Sequence, residues 1–328
     1  LQKLFHRTPP ENFFFILSFF LTFVKKLLRI FVKRSRKMTY TLQNSQLSVQ
    51  ISSLGAQLQS VCFRGQEILW QGDPTFWSER APLLFPFCGR CRDGKYLYEG
   101  AEYPMTIHGF LSSLESRVQQ NSKDSACFFF SSNEQTLSVY PFSFQVSVTY
   151  RLEETKLSMQ VCVQAGENSL LPFSFGFHPG FALPSGDLSS ISLKFAKSSH
   201  PVIRSIASDG LYLLPTGEEA PYPLEEGVSL PLSDSRITGN GLFLGNTCRD
   251  VFLKIPNFDF TIRLCYPDYP ELGIWKAGPD APFLCLEPWH GLPAPHGVPT
   301  DLSVKEYPDR ILLQAGERKE LALQLEFL

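Results

Sequence analysis

Three stretches of the chain set a titratable side chain against glycine or proline at the end of an apolar run. In "FLCLEPWHGLPAPHG", 283–297, the apolar Phe283, Leu284, Cys285 and Leu286 lead to Glu287, beside Pro288, Trp289 and His290. In "LPFSFGFHPGFALP", 171–184, His178 stands between Phe177 and Pro179 in a run too aromatic to be plain surface. In "MTIHGF", 105–110, His108 ends a short strand, and Gly109 lets the chain turn close to whatever His108 faces. A fourth stretch, "APLLFPFCGRCRDGKY", 81–96, ends an apolar strand in Gly89 and Arg90, whose guanidinium is a rigid fork of donors for an oxygen-rich ligand. Histidine and glutamate held at a strand rim can exchange protons near neutral pH, because burial and neighbours tune their pKa values. Taken singly, each also fits a structural role: a surface arginine in a turn, or a core histidine bonded to a backbone carbonyl.

The elements that would position these groups are strands. "LSVQI" (47–51), "FQVSVTYRL" (144–152) and "LSMQVCV" (157–163) alternate apolar and polar residues with period two. "EETK" between the last two reads as a hairpin connection. "VFLKI" (251–255), "FDFTIRLCY" (258–266) and "LALQLEF" (321–327) continue the pattern, with "PN" at 256–257 expected to join strands closely. Prolines recur every dozen residues or so and interrupt any long helix. Half-buried strands, short connections and no βαβ rhythm predict an all-β fold: a large antiparallel β-sandwich in one domain, with few short helices.

Composition narrows the function classes. The chain has 328 residues, 43% hydrophobic and 19% charged, enough for a sizeable core. A net charge of -2 argues against binding driven by nucleic-acid phosphates. Residues 1–37 carry nine Lys/Arg and one acid, which leaves 21 Lys/Arg and 31 Asp/Glu, a net of -10, on the rest. That acidic body suits a neutral or polar ligand. Several of the eight cysteines lie inside apolar alternation, as in "SMQVCVQ", so they read as reduced, buried and cytoplasmic. Cys88 and Cys91 form a CxxC with no matching second pair for zinc and no following helix for a redox motif; no metal or cofactor is expected.

The first 37 residues stand apart. "FFFILSFFLTFV", 13–24, is too short to span a membrane, and "KKLLRIFVKRSRK" follows it. It fits an interfacial anchor, an uncleaved targeting element, or translated upstream sequence with Met38 as the start, and the third is expected. Membrane association is expected only if residues 13–32 serve as an anchor, and the folded domain is expected over 38–328.

Together and in order, "GAQLQSV" (55–61), "ILWQGDPTFWSERAPLLFPFCGR" (68–90), "DGKYLYEGAEYPMTIHGF" (93–110), "LPFSFGFHPGFALP" and "FLCLEPWHGLP" resemble the aldose 1-epimerase (galactose mutarotase-like) family, in its shorter bacterial branch. The resemblance implies a large antiparallel sandwich and a cofactor-independent isomerase, monomeric or homodimeric. The enzyme would interconvert the α and β anomers of a hexose by acid–base ring opening. It implies His178 as acid, Glu287 as base, ionised at rest, His108 as the second active-site histidine and Arg90 as the sugar-binding arginine. Trp289 would stack on a sugar face or pack on the rim. The family's sugar-holding aspartate has no clear counterpart in "NGLFLGNTCRDVFLKI"; Asn246 and Asp250 are the candidates. His290 and His296 read as turn residues.

Three other functions compete. A hexose-phosphate mutarotase would need further cations at the cleft, for which Arg80 and Arg92 are available. A non-catalytic sugar-binding sandwich would not need an acid–base pair. A glycoside hydrolase would need two carboxylates, and only Glu287 has the setting.

Overall fold

Period-two alternation becomes two large antiparallel sheets in the computed structural model. It describes residues 38–328 apart from 121, 168–169, 185, 190, 209–212, 257 and 304–309; the 1–37 extension lies outside the described residues. The first sheet has nine strands, in the order Ser229–Pro231, Ser192–Phe195, Asp250–Leu253, Ile262–Cys265, Arg318–Phe327, Lys156–Ala165, Phe144–Glu153, Ser125–Ser131 and Arg117–Gln120. The second runs Leu213–Pro221, Val202–Ser208, Leu242–Gly245, Glu271–Trp275, Phe283–His290, Phe175–Phe177 and Leu83–Leu84, with Gly180–Ala182 also pairing to Phe283–His290. Inward side chains of both sheets belong to one hydrophobic cluster. Phe85, directly after the Leu83–Leu84 strand of the second sheet, meets Phe144 of the first with ring centroids 5.1 Å apart. This is the expected sandwich.

The hairpin between 144 and 165 is tighter than "EETK" suggests. Glu153 pairs with Lys156, so two residues make the turn, and Glu154 adopts φ 51°. A correction applies at 254–261. The expected long strand from 258 begins only at Ile262, and a loop rather than "PN" joins Asp250–Leu253 to Ile262–Cys265. Lys254 Nζ donates to the carbonyls of Phe258 and Phe260 at 2.9 and 3.1 Å, which takes them out of any ladder. The two rings stack 5.0 Å apart, so these aromatics are buried by a loop, not by a strand.

A third sheet, Thr39–Gln43, Leu47–Ser52, Leu58–Phe63 and Gln66–Glu67, flanks the sandwich. The one α-helix among the described residues, Glu134–Val139, is held by an Asn133–Thr136 capping box.

Candidate active site

The site is built on Phe283–His290, the strand between Glu271–Trp275 on one side and Phe175–Ala182 on the other. On the latter side Gly176 pairs with Trp289 and Gly180 with Cys285, a register that puts His178 opposite Glu287. The ladder itself breaks between these pairs. Pro179 has no N–H to give it, and the His178 N–H donates instead to the Pro82 carbonyl at 3.1 Å. The break leaves both side chains on one face, with His178 Nε2 3.2 Å from Glu287 Oε2. On the other side Gly273 pairs with Glu287, and a Cβ there would lie 3.2 Å from the Glu287 Cβ and 2.9 Å from the Phe243 ring.

Aromatic rings enclose the pair. Trp77 stacks on the His178 imidazole at 4.8 Å, and Trp275 meets it edge-on at 5.7 Å. His108 is edge-on to His178 at 5.5 Å. A turn sets His108: its φ is 63°, that of Gly109 is 74°, and a Cβ on Gly109 would fall 2.2 Å from the Phe85 carbonyl oxygen. The Gly89 N–H donates to His108 Nδ1 at 3.0 Å, while the His108 N–H donates back to the Gly89 carbonyl at 2.8 Å. A neutral His108 therefore carries its proton on Nε2. Arg90 follows directly and is exposed.

These groups line a cavity of about 400 Å³, within the range of about 300–1,000 Å³ usual for small-molecule sites. Arg90, His108, His178, Glu287 and Trp289 all reach it. Trp289 is 4% exposed and packs on Phe243 at 4.9 Å, so it both walls the cavity and fills the rim.

Asn246 does not line the cavity. It sits exposed in the turn after Leu242–Gly245 with φ 56°, while Phe243 of that strand faces the site. Asp250 is committed elsewhere, to a two-point ion pair with Arg263 at 2.8 and 2.9 Å. Lining residues without a role in the sequence reading include Trp77, Trp275, Glu79 and Asn240. Trp77 and Glu79 lie in the stretch "FWSER", whose adjacent aromatic and charge were the available signal.

Electrostatically the pair is unusual. Burial pushes the Glu287 carboxyl up to about 8, with the nearby Trp289 indole pulling more weakly toward ionisation; that N–H stops short of hydrogen-bond geometry. Burial, with some repulsion from His108, holds His178 well below the usual imidazole range. Burial and the Arg90 charge bring His108 down to about 4. The direction of the Glu287 shift runs against the expectation of a Glu287 ionised at rest. Burial thus favours the neutral form of both groups, a carboxyl with its proton facing the Nε2 of an uncharged imidazole.

Donors for a metal are present but poorly disposed. Cys285 Sγ lies with His178 and Glu287 in a set whose ligand atoms are all within 4.8 Å of one another. The thiol is fully buried, does not reach the cavity, and is pushed up by burial and by the Glu287 charge. Cys88 and Cys91 are buried free thiols; burial raises both, Cys91 to about 12, which disfavours thiolate chemistry.

The model of the family described as aldose 1-epimerase matches residues 38–225, which include Arg90, His108 and His178. The plasmid-encoded protein LacX of Lactococcus lactis subsp. lactis is 32% identical over 228 residues, covering 66% of this chain and 75% of that protein. A galactose mutarotase-like protein from Lactobacillus casei superposes with a TM-score of 0.81 at 31% identity, covering 89% of this chain and 100% of that one. A galactose mutarotase related enzyme from Lactobacillus acidophilus gives 0.80 at 28% identity, with 89% and 97% covered. The chain belongs to the aldose 1-epimerase family.

Proposed function

We propose that this protein is an aldose 1-epimerase that interconverts the anomers of an unphosphorylated hexose, through the one-proton pair of His178 and Glu287. The observation that carries the reading is the 3.2 Å contact between His178 Nε2 and Glu287 Oε2 at the wall of the cavity. Burial keeps both partners in their neutral forms, so the pair holds a proton it can place on either side.

The chemistry is balanced without a net proton. Transfer from Glu287 to His178 gives carboxylate and imidazolium. The carboxylate removes the proton from the C1 hydroxyl while the imidazolium protonates the ring oxygen, and the C1–O5 bond breaks to leave an open aldehyde. The C1–C2 bond rotates, the steps reverse, and the other anomer closes. Each positioned acid or base contributes about 10²–10⁴-fold. The Nε2–H of His108 and the Arg90 guanidinium would hold sugar oxygens and the developing carbonyl.

A hexose phosphate is disfavoured by where the arginines go. Arg80 Nη1 donates to the Gln59 carbonyl and to Gln71 Oε1 at 2.5 and 2.9 Å, and Arg92 lies against Asp93 at 3.7 Å on a separate cavity. Neither lines the site, where Arg90 is the only Lys or Arg among the described residues. A cytoplasmic location accords with the eight free cysteines.

Polarimetry tests the reading. Freshly dissolved α-glucose or α-galactose should lose its excess rotation faster with catalytic amounts of protein, and the 6-phosphates should respond far less. Sugar binding without acceleration would leave a carbohydrate-binding sandwich instead.

A further inference from the structure

Glu79 lines the cavity and stands exposed at its rim. Nothing in the acid–base chemistry uses it. Behind it run two linked amides, one buried and one half-buried. Gln57 is only 7% exposed, and its Nε2 donates to Glu79 Oε2 at 2.7 Å. The other end of that amide, Gln57 Oε1, accepts from Gln59 Nε2 at 3.2 Å. Burying a glutamine amide is costly unless both ends are satisfied. Here the two ends are filled so that one carboxylate oxygen is gripped. The other oxygen, Glu79 Oε1, makes no hydrogen bond among the described residues.

The neighbouring cation does not neutralise this carboxylate. Arg80 directs its guanidinium to Gln59 and Gln71, and Glu79 has no ion pair among the described residues. A tethered, unneutralised carboxylate at the mouth of a sugar-sized cavity is a strong acceptor for hydroxyl hydrogens. It also repels anions.

We propose that Glu79, held by Gln57, is a substrate-positioning residue that accepts hydroxyl hydrogen bonds from the sugar and selects neutral polyols over phosphorylated or carboxylated ones. This rests on the hexose reading above and extends it to how the ligand is recognised. It also supplies a carboxylate for sugar hydroxyls from an exposed loop before Leu83–Leu84, not from the segment around Asn246.

Binding and turnover are measured separately. Quenching of Trp77, Trp275 and Trp289 fluorescence by methyl α-glucoside or methyl α-galactoside, which cannot ring-open, reports binding alone. Polarimetry with the free sugar reports KM and kcat. Glu79→Gln should raise both the methyl-glycoside Kd and KM about tenfold or more, the loss expected for one charge-assisted hydrogen bond, while kcat falls less than about threefold. Competitive inhibition by glucuronate should tighten in the same variant. Gln57→Leu should shift Kd in the same direction by a smaller factor. A Kd and KM for Glu79→Gln within about twofold of wild type overturn the proposal, and the exposed site makes misfolding a poor excuse. If wild type binds methyl glycosides but does not accelerate mutarotation, a weaker Glu79→Gln complex sustains this inference while the catalytic reading falls. If wild type binds no sugar, both fall.

Discussion

His178 and Glu287 face each other across a break in one strand pair, 3.2 Å apart and both buried. Their separation comes from backbone register: Gly176–Trp289 and Gly180–Cys285 pair on either side of them. In the proposed reaction a hydroxyl entering this contact would meet both halves of the proton transfer at once.

Removing either half should abolish catalysis without unfolding the sandwich. Glu287→Gln and His178→Asn are each expected to lower kcat by about 10²–10⁴-fold. Polarimetry reads the rate, and circular dichroism with methyl-glycoside binding checks the fold. Full activity in Glu287→Gln would remove that carboxyl from the reaction.

The pH profile follows from the two directions of shift. Glu287 sits at about 8, so the pair loses its proton, and activity falls, as pH rises through about 8. His178 is held well below the imidazole range and His108 at about 4, so activity should persist below pH 6.5. A broad plateau on the acid side of 8 is expected in initial rates corrected for spontaneous mutarotation. A bell centred on the ordinary histidine pKa would contradict it.

Stability should carry the same signature with the opposite benefit. A carboxyl whose folded pKa is raised binds its proton more tightly in the native state, so its contribution is lost as pH rises from the usual glutamate range through about 8. Glu287→Gln cannot ionise. Its Tm should exceed that of wild type, and the gap should widen between pH 6 and pH 9 in thermal melts. A gap that stays constant would mean the carboxyl is solvated.

Gly109→Ala tests the turn behind His108. The added Cβ would meet the Phe85 carbonyl at 2.2 Å in a left-handed conformation. Loss of stability is expected together with a fall in kcat/KM larger than the melting shift explains, because the Gly89–His108 bonds move with the turn. Wild-type kinetics in this variant would show that His108 tolerates displacement.

Next to the site, Arg204 makes a two-point ion pair with buried Glu271, at 3.1 and 2.7 Å, and Glu271 pairs in register with Trp289. Arg204→Met should cost about 3–5 kcal/mol in urea denaturation, since it strands a buried charge. The double change to Arg204→Met with Glu271→Leu should recover much of that loss.

The fold was legible where one face of a strand is wet. Phe144–Glu153 and Lys156–Ala165 alternate buried and open positions, and their pairing is the one the alternation predicts. Phe175–Phe177 is buried throughout and carries no period, so its place beside Glu287 could not be read from pattern. Phe258 and Phe260 mimic alternation but are buried by a loop that Lys254 closes. Arg90, His108, His178 and Glu287 were marked by glycines and prolines at strand ends. Glu79 and Trp77 were not, because connections show which residues are polar but not which cavity they reach. The upward shift of Glu287 was out of reach for a similar reason, since desolvation depends on what packs around a group.

Glu287 hangs from a strand and His178 from the two-residue break beside it, whereas Glu79 and Asn240 stand on longer connections between strands. A one-residue insertion between Gly176 and Gly180 is expected to carry the imidazole off the face it shares with Glu287, so this pairing depends on a fixed chain length. The mouth has no such constraint. Length changes at the entrance would therefore alter which ligands are admitted while leaving the spacing of His178 and Glu287 unchanged.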